Sequence, residues 1–422
     1  MASSFWGQCM PSTTGSQVQQ QTMLKELEVP IIETDQEFLQ GLLRKTESNP
    51  DLEVINVEAT PCTSVDDNYL SSATTVVVTG RTKSAHTFKK LLLIKRHPAN
   101  NTRRHVFRCD PAFKNEAAAF GKVIPALAEF SKCELPFPSC LHATSQRIVL
   151  QDIQSHGFTM GNKQKGLDLH HSKLVMKELG RFHGISLAMK CSNKSAFEGT
   201  KSNIQELIFV PEAHPIFSAS LENALKMALM SLEVYKGITD VAIVEAVHKL
   251  RMLKGTVFQR MQALVKPSEP LSVICHGDFW INNLLFRYNG EIAEEVKFVD
   301  LQVVRYASLS TDILHFLTTS TEPEVSTDYR DELVQTYHKS LCQVLEELAP
   351  GALHVSLGDI YNQIEIHALY GLLIGFLLLP AITAENKLAS NENFDSAVRS
   401  LTPKYYKKVR DLVLDFIDRG FI

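Results

Sequence analysis

Residues 271–286 read LSVICHGDFWINNLLF, and this stretch decides the fold. An apolar segment typical of a buried strand leads into His276, Gly277 and Asp278, and Asn283 follows five residues after the aspartate. Phosphoryl transfer requires a carboxylate beside the attacking hydroxyl and oxygen ligands for the metal that neutralises the phosphates. Asp278 suits the first task and the side-chain oxygen of Asn283 suits the second, while His276 is predicted to hold the loop in place. The stretch therefore predicts a phosphoryl-transfer loop.

A β-hairpin is predicted directly after this loop. Its strands are Leu284–Tyr288 and Val296–Val299, and an Asn-Gly turn signal lies between them at 289–290. The second strand leads into Asp300, within the sequence FVDLQ. Magnesium prefers hard oxygen ligands and keeps several waters, so an aspartate, an asparagine and phosphate oxygens form a sufficient set. The alternative is that both aspartates are turn residues beside a buried hairpin, but the combined spacing favours Asp300 as a second metal ligand.

A lysine ends the apolar segment LLLIK at residues 91–95. The ammonium group of Lys95 is costly in such a strand unless its charge is paired. The next helix is predicted to open at Asp110-Pro111, with Asp110 as its N-cap. Glu116, on that helix, is the expected partner, because no other acidic residue lies between Asp110 and Glu129. Such a pair would hold Lys95 against the α- and β-phosphates of a nucleotide; the alternative is a strand-end lysine that points into water.

The segment RIVLQD at 147–152 predicts a further strand, at the place where a kinase chain crosses between its lobes. The backbone N–H and C=O groups of Gln151, Asp152 and Ile153 are predicted to bond the edge of adenine. The alternative is an ordinary core strand, because recognition by the backbone leaves almost no side-chain signature.

Trp280 and Asp312 carry weaker signals. Trp280 lies two residues after the proposed base, so it either lines the pocket of the phosphate acceptor or packs under the loop. Asp312, in the segment STDIL, is predicted to cap a helix or to brace the catalytic loop.

The order of predicted elements indicates an α+β, two-lobed protein-kinase-like fold. Residues 31–152 are predicted to form a small antiparallel-sheet N-lobe that binds nucleotide and contains one key helix. Residues 153–422 are predicted to form a larger, mainly helical C-lobe with the catalytic loop and the acceptor site, including one long helix at Ala242–Val265. Residues 1–30, rich in Ser, Thr, Gln and Gly, are predicted to be a disordered extension.

Composition narrows the classes of function. The 422 residues carry a net charge of −4, so the chain lacks the basic field that binds nucleic acid. The eight cysteines include no C-x-x-C pair, and no basic segment followed by an apolar one opens the chain, so a reducing, cytoplasmic location is expected. The longest apolar run, residues 368–382, contains Pro380 and is shorter than the roughly 20 residues of a membrane span, which predicts a buried helix. No pattern indicates the oligomeric state.

This order of motifs resembles the choline/aminoglycoside kinase-like superfamily and, within it, the ecdysteroid kinase-like family of arthropods, over residues 35–420. The segments that carry the resemblance are HGDFWINNLLF (276–286), FVDLQ (298–302), GRFHGIS (180–186), FKNEAAAFGKVIPAL (113–127) and LLLIK (91–95). The resemblance implies an ATP- and Mg²⁺-dependent kinase that phosphorylates the hydroxyl group of a small-molecule alcohol, steroid hormones included.

The resemblance also implies a loop over the nucleotide phosphates, before an Asn-Tyr dipeptide at 68–69. Where the family usually has a glycine, this chain has the acidic pair Asp66-Asp67, which is unfavourable beside phosphate unless it faces away or a metal intervenes. The backbone N–H groups of Ser71 and Ser72 would then cradle a phosphate. Gln151 stands where the family commonly has a glutamate, a change of little effect if backbone groups hold the adenine.

Three alternative functions remain open. A catalytically weak pseudokinase that binds nucleotide and a lipophilic ligand is suggested by the acidic pair at 66–67. A protein kinase is disfavoured because the sequence DLQ at 300–302 is not D-F-G and no A-P-E element follows. A choline- or aminoglycoside-type kinase would need an anionic cleft for a cationic substrate. No acidic cluster stands out in the predicted C-lobe beyond Asp278 and Asp300 and the turn at Glu291–Glu295, which is interpreted as solvated surface. A neutral acceptor, an ecdysteroid or a related lipophilic alcohol, is therefore favoured.

Overall fold

The structure, a computed structural model, describes residues 33–61, 72–83, 86–96, 109–234, 241–384 and 398–422. The predicted disordered extension at 1–30 lies outside the described residues, and so do Ser71 and the acidic pair at 66–67.

An antiparallel sheet of five strands forms the first part of the molecule, in the order β1-β2-β3-β5-β4. Its strands are β1 (Glu53–Pro61), β2 (Ser72–Arg81), β3 (Thr87–Arg96), β4 (Cys140–Ala143) and β5 (Arg147–Gln151). The β-branched and apolar runs ATTVVVT, FKKLLLIK and RIVLQD, which begin at residues 73, 88 and 147, predict β2, β3 and β5, and these strands are confirmed. Strand β1 is not evident from the sequence, because charged and amide side chains on its exposed face interrupt the apolar pattern.

One face of this sheet is buried against helix α1, Glu33–Thr46. Val78 and Ile94 on the sheet and Leu39 and Leu43 on the helix belong to one cluster of buried side chains. The period of two along the strands and the helical spacing of the leucines direct these side chains to the same interior. Burial of each such side chain contributes about 1.5–3 kcal/mol to the free energy of unfolding.

Helix α2, Cys109–Ala118, is the predicted key helix of the first part. The prediction that Asp110 is its N-cap is wrong, because the helix begins at Cys109 and Asp110 lies in its first turn. Cys109 is fully buried against Ala112 and Leu207, and this packing favours two more helical residues at the N-terminus. A π-helical turn, Ala119–Val123, continues α2 into the next helix.

The remaining described elements are mainly helical. The helices are α3 (Ile124–Ser131), α4 (Leu169–Ser192), α5 (Lys194–Lys201), α6 (His214–Val234), α7 (Val241–Arg251), α8 (Val257–Leu264), α9 (Ser310–Thr319), α10 (Pro323–Thr327), α11 (Arg330–Leu348), α12 (Leu357–Ile366), α13 (Ala368–Thr383) and α14 (Pro403–Asp418). The short strands β7 (Ser272–Cys275) and β10 (Arg305–Ser308) pair with each other, and β6 (Phe158–Met160), β8 (Leu284–Asn289) and β9 (Ile292–Phe298) form a second small sheet in the order β6-β8-β9.

The single helix predicted at Ala242–Val265 is wrong, since α7 and α8 divide this stretch. Gly255 lies between them with a φ of +76°, a left-handed conformation that a right-handed helix cannot continue through. The predicted hairpin is confirmed as β8 and β9, which are antiparallel neighbours.

Helix α13 is the apolar run predicted to be buried, and it is buried along most of its length between α9 and α14. A Cβ on Gly375 would lie 2.6 Å from Leu412 Cδ2, so the glycine permits the close approach of α14. In the described ranges, no helix by itself has the length and apolar composition of a membrane span; the bent pair α12 and α13, at 58°, passes that test only when taken together.

The predicted fold class is confirmed: an α+β, kinase-like arrangement of a small antiparallel sheet with one prominent helix and a larger, mainly helical part. The division of the chain at residues 152 and 153 stays a prediction.

Candidate active site

A buried loop, residues 276–283, connects β7 to β8. Arg305, which opens the paired strand β10, donates from Nη2 to the carbonyl oxygen of Gly277 at 3.0 Å. Gly277 has a φ of +84°, and a Cβ there would lie 2.1 Å from the carbonyl oxygen of Val303. The position therefore requires glycine both for its left-handed conformation and for the approach of a neighbouring backbone.

We expect Gly277→Ala to destabilise the protein more than Gly290→Ala. Gly290 also has a positive φ, +62°, but nothing lies within 4 Å of a Cβ placed there, so its variant carries the conformational penalty alone, about 1–2 kcal/mol. Gly277→Ala adds the clash with Val303. Denaturant unfolding of both variants measures the difference, and equal losses of unfolding free energy would contradict the close contact.

Asp312, near the start of α9, braces this loop. Its Oδ2 accepts a hydrogen bond from His276 N at 2.6 Å and its Oδ1 accepts one from Gly277 N at 2.9 Å. His183 Nε2 lies 3.2 Å from the same carboxylate, and His183 Nδ1 lies 2.8 Å from the hydroxyl of Tyr337. Burial by itself would raise the pKa of Asp312, but the hydrogen bond and charge of His183 and the other donors hold that pKa below its usual value. Of the two predicted roles, the geometry shows bracing.

His276 is held by the backbone on both sides. Its Nε2 lies 2.9 Å from the carbonyl oxygen of Val299, and Asp278 N donates to its Nδ1 at 3.3 Å. Burial lowers the pKa of His276, so the ring is neutral, with the proton on Nε2. Such a ring ties the loop to the end of the hairpin, the structural role that the sequence predicts.

Asp278 lies at the centre of the loop and is 1% exposed. Its Oδ2 accepts a hydrogen bond of 2.9 Å from Asn283 Nδ2, which also donates to the Asp278 carbonyl at 2.8 Å. Burial, with a further contribution from the charge of Asp300, raises the pKa of Asp278 to about 7, and the hydrogen bond from Asn283 opposes this rise. The hydrogen bond from Asn283 therefore fixes the orientation of the Asp278 carboxylate, and the raised pKa makes this carboxylate a stronger base than that of an exposed aspartate.

Two oxygen atoms of the predicted metal ligands are buried without a donor. Asn283 Oδ1 and Asp300 Oδ1 accept no hydrogen bond from the part of the chain that the structure describes. Buried acceptors are almost always satisfied, so this pair calls for a group that supplies positive charge. Amide and carboxylate oxygens are the ligands that Mg²⁺ takes. Asp300 also has a φ of +68°, an uncommon conformation that occurs at functional sites.

The predicted ion pair between Lys95 and Glu116 is present. Lys95 Nζ lies 2.5 Å from Glu116 Oε1 and 3.8 Å from Asp300 Oδ1. Strand β3 and helix α2 thus bring an ammonium group to the carboxylate that follows the hairpin. Burial raises the pKa of Asp300 and the charge of Lys95 opposes that rise.

Gln302 and Asn115 contribute to the site in ways that the sequence does not reveal. Gln302 Nε2 donates to Glu116 Oε2 at 3.4 Å, so the last residue of FVDLQ contacts the partner of Lys95. Asn115 Nδ2 donates to the carbonyl oxygens of Gln302 and Val304 at 3.1 and 2.9 Å. Gln302 lies in the segment FVDLQ and Asn115 in FKNEAAAFGKVIPAL, but neither segment indicates which group its side chain will bond. Together they fasten α2 to the segment that carries Asp300.

The crossing strand is present as β5, but two of its N–H groups are already bonded. Gln151 N donates to the carbonyl oxygen of Ser139 at 2.9 Å, and Asp152 N donates to that of Leu91 at 3.1 Å. The predicted contact of this segment with adenine stays a prediction, and it would have to use backbone groups of the segment other than these two N–H groups. For Ile153 N–H, no acceptor is found among the described residues.

Trp280 and Ser72 are two further predicted site residues that the structure describes. Trp280, within the loop at 276–283, is 1% exposed, and its indole lowers the pKa of Asp278; its role in an acceptor pocket stays a prediction. Ser72 is the first residue of β2 and pairs with Arg96, the residue that follows Lys95 on β3. Ser71 lies outside the described residues.

The sequence profile of the ecdysteroid kinase-like family matches residues 65–349, more than half of the chain. The chain belongs to the ecdysteroid kinase-like family. The matched span of this ecdysteroid kinase-like chain contains the ion pair of Lys95 and Glu116, the loop at 276–283 and the hairpin described above.

Two solved structures are similar to this ecdysteroid kinase-like chain. An ethanolamine kinase of Plasmodium vivax is 13% identical with a TM-score of 0.41, over 97% of this chain and 98% of that one. Aminoglycoside 2′-phosphotransferase-IIIa, in its complex with GDP, is 10% identical with a TM-score of 0.39, over 91% of this chain and 99% of that one. A search of the curated proteins gave no match. Similarity at this level carries no argument about function, which is therefore argued from the site.

Proposed function

We propose that this chain is an ATP- and Mg²⁺-dependent phosphotransferase that transfers the γ-phosphate to a hydroxyl group of a small molecule. One observation carries the proposal. A largely buried ammonium–carboxylate pair, Lys95 and Glu116, lies beside Asp300, and Asp300 Oδ1 and Asn283 Oδ1 accept no hydrogen bond from the described residues. Phosphoryl transfer needs this combination of a phosphate-binding cation and metal-binding oxygens, next to a carboxylate such as Asp278.

Each residue of the site has a separate task in this proposal. Lys95, oriented by Glu116, binds nucleotide phosphate oxygens. Asn283 and Asp300 would hold Mg²⁺, which neutralises charge on the phosphates when it is bound. Asp278 accepts a hydrogen bond from the acceptor hydroxyl, orients it and takes its proton as the new bond to phosphorus develops. Most of the acceleration is expected from positioning and charge neutralisation, since all these side chains are held by buried contacts.

The nucleotide base is proposed to lie against the segment that follows β5. Ile153 N–H is the donor proposed for the adenine edge, because Gln151 N and Asp152 N already bond within the sheet. Ser72, the first residue of β2, and Ser71, which precedes it in the sequence, are proposed to cradle a phosphate through their backbone N–H groups.

A neutral acceptor is favoured by the state of the buried carboxylates. Apart from Asp278 and Asp300, the buried carboxylates in the described part of the chain all have a partner. Asp312 accepts two backbone N–H groups, Asp35 pairs with Arg96, and Asp152 accepts from Gln154 N. None of them is left to bind the cationic group of choline or of an aminoglycoside. We therefore propose an ecdysteroid or a related lipophilic alcohol as the acceptor class.

Asp300→Asn is expected to weaken Mg²⁺-dependent nucleotide binding by about tenfold or more, because the amide keeps the shape but loses the negative charge that the metal needs. Nucleotide affinity measured by calorimetry at limiting and at saturating Mg²⁺ tests this. The matched control is Asp328→Asn, which removes an exposed carboxylate at the end of α10. Unchanged binding of Asp300→Asn at limiting Mg²⁺ would remove Asp300 from the metal site.

The proposed activity is tested by ADP release with ATP and Mg²⁺ across ecdysteroids, plant-derived alcohols, choline and aminoglycosides. Stimulation by one class, absent in Asp278→Asn, would establish the kinase and its acceptor. Nucleotide binding without turnover for every acceptor would contradict the proposal and indicate a pseudokinase.

A further inference from the structure

His315 lies beside the catalytic carboxylate and has no role in the function proposed so far. It belongs to α9, is fully buried, and neither ring nitrogen has a hydrogen-bond partner among the described residues. Its Nε2 lies 3.9 Å from Asp278 Oδ1, and that oxygen also lacks a hydrogen bond of ordinary geometry to the described residues. His315 Nε2 and Asp278 Oδ1 therefore face each other at the centre of the site, where the Trp280 indole is the other polar group that acts on this carboxylate.

This arrangement needs a physical reason. A buried donor or acceptor without a partner is costly, so an imidazole with two such nitrogens is rarely kept for packing alone. The neutral ring can donate from Nε2, and burial lowers the pKa of His315 to about 3, which excludes a charged ring that would simply pair with the carboxylate. The charges of Asp312, Arg305 and His276 act on the same ring with smaller effect.

Helix α9 holds this ring in register with the loop. Asp312 lies three residues before His315, one helical turn away on the same side of α9. Through Asp312 the helix fastens the backbone of the loop at His276 and Gly277. The helix that positions the loop backbone thus also presents His315 to the Asp278 side chain.

We propose that His315 is a positioning residue for the phosphotransferase reaction: its Nε2–H donates to Asp278 Oδ1 when nucleotide and acceptor bind. The inference rests on the proposed function. A separation of 3.9 Å is about 1 Å longer than a hydrogen bond, and such contacts at active sites often shorten only in the complex with substrate. Asn283 then holds one oxygen of Asp278 and His315 the other, so that the carboxylate presents a fixed lone pair to the acceptor hydroxyl.

The kinetic test compares His315→Phe with His315→Gln. Phenylalanine fills the site without a donor, and since the ring nitrogens bond no described group, the melting temperature is expected to stay equal or to rise. The kcat of phosphotransfer is expected to fall about 10- to 100-fold, because one hydrogen bond to a charged group is lost. The KM for ATP is expected to stay unchanged. Glutamine places an amide N–H near the position of Nε2 and is expected to recover most of kcat.

The control is His338→Phe. His338 is a half-buried residue of α11 whose ring contacts the carbonyl oxygen of Val355 and the Sγ of Cys342 instead of Asp278. Its kcat is expected to equal that of the wild type. A His315→Phe enzyme with wild-type kcat, or a His315→Gln enzyme no better than His315→Phe, would overturn the assignment.

A second measurement does not depend on turnover. The ¹⁵N spectrum of histidine-labelled protein with Mg·ADP is expected to show His315 protonated on Nε2, with a resonance that moves in Asp278→Asn; the signal is identified by its loss in His315→Phe. Protonation on Nδ1, or no response to Asp278→Asn, would overturn the contact. If the wild type transfers phosphate to no acceptor, the proposed function fails and this spectrum still decides where His315 donates.

Discussion

Replacing Asp278 by asparagine is expected to lower turnover by about 100- to 10,000-fold, the usual contribution of a positioned general base. The amide cannot take a proton from the acceptor hydroxyl and orients it only weakly. Asn283 Nδ2 can still donate to the amide oxygen, so the loop should keep its shape. Stability should be retained or increased, because the substitution removes a buried charge whose pKa is raised to about 7 by desolvation.

The measurement is ADP release at saturating ATP and acceptor, together with nucleotide affinity by calorimetry. Affinity for Mg·ATP is expected to equal that of the wild type, because Lys95, Asn283 and Asp300 are unchanged. Asp418→Asn, which alters an exposed carboxylate at the end of α14, is the matched control for the substitution itself. Loss of nucleotide binding with the fold intact would show that Asp278 serves the nucleotide and not the acceptor.

Asp312→Ala is expected to reduce the free energy of unfolding by about 3–5 kcal/mol, because it leaves three buried donors without their acceptor. These donors are His276 N, Gly277 N and the ring of His183. All three residues are buried. Turnover should fall as well, since the loop that carries Asp278 loses its brace.

Asp359→Ala is the control for this prediction. Asp359 also accepts a backbone N–H, from Ser356 at 2.8 Å, but it is exposed at the start of α12, where water replaces the carboxylate. Its loss should be about 0.5–2 kcal/mol, the usual value for a helix cap. Urea unfolding of both variants gives the comparison, and a similar small loss for Asp312→Ala would mean that water satisfies the loop and that the brace is dispensable.

Part of the site follows from local sequence. Asp278, Asn283 and Asp300 are spaced by a strand, a loop and a hairpin, and each of these has its own signature in apolar runs and an Asn-Gly turn. The pair of Lys95 and Glu116 is predicted because a buried ammonium group needs a carboxylate and the sequence offers one candidate. In these cases residue chemistry and spacing along the chain leave few arrangements open.

The tertiary structure decided the contacts whose partners the sequence does not specify. Gln302 bonds Glu116 across 186 residues, and His183 bonds Asp312 across 129, since separate elements pack at particular angles and depths. The hydrogen bonds that Gln151 N and Asp152 N donate to Ser139 and Leu91 leave no mark in the sequence, because they depend on which backbone segments lie side by side. In the sequence, His315 is a polar residue on an apolar helix with no signal of function. Only the packing of α9 against the loop brings it close to Asp278. Chemistry that depends on side-chain type and local spacing can be read from this chain, whereas chemistry that depends on which surfaces meet cannot.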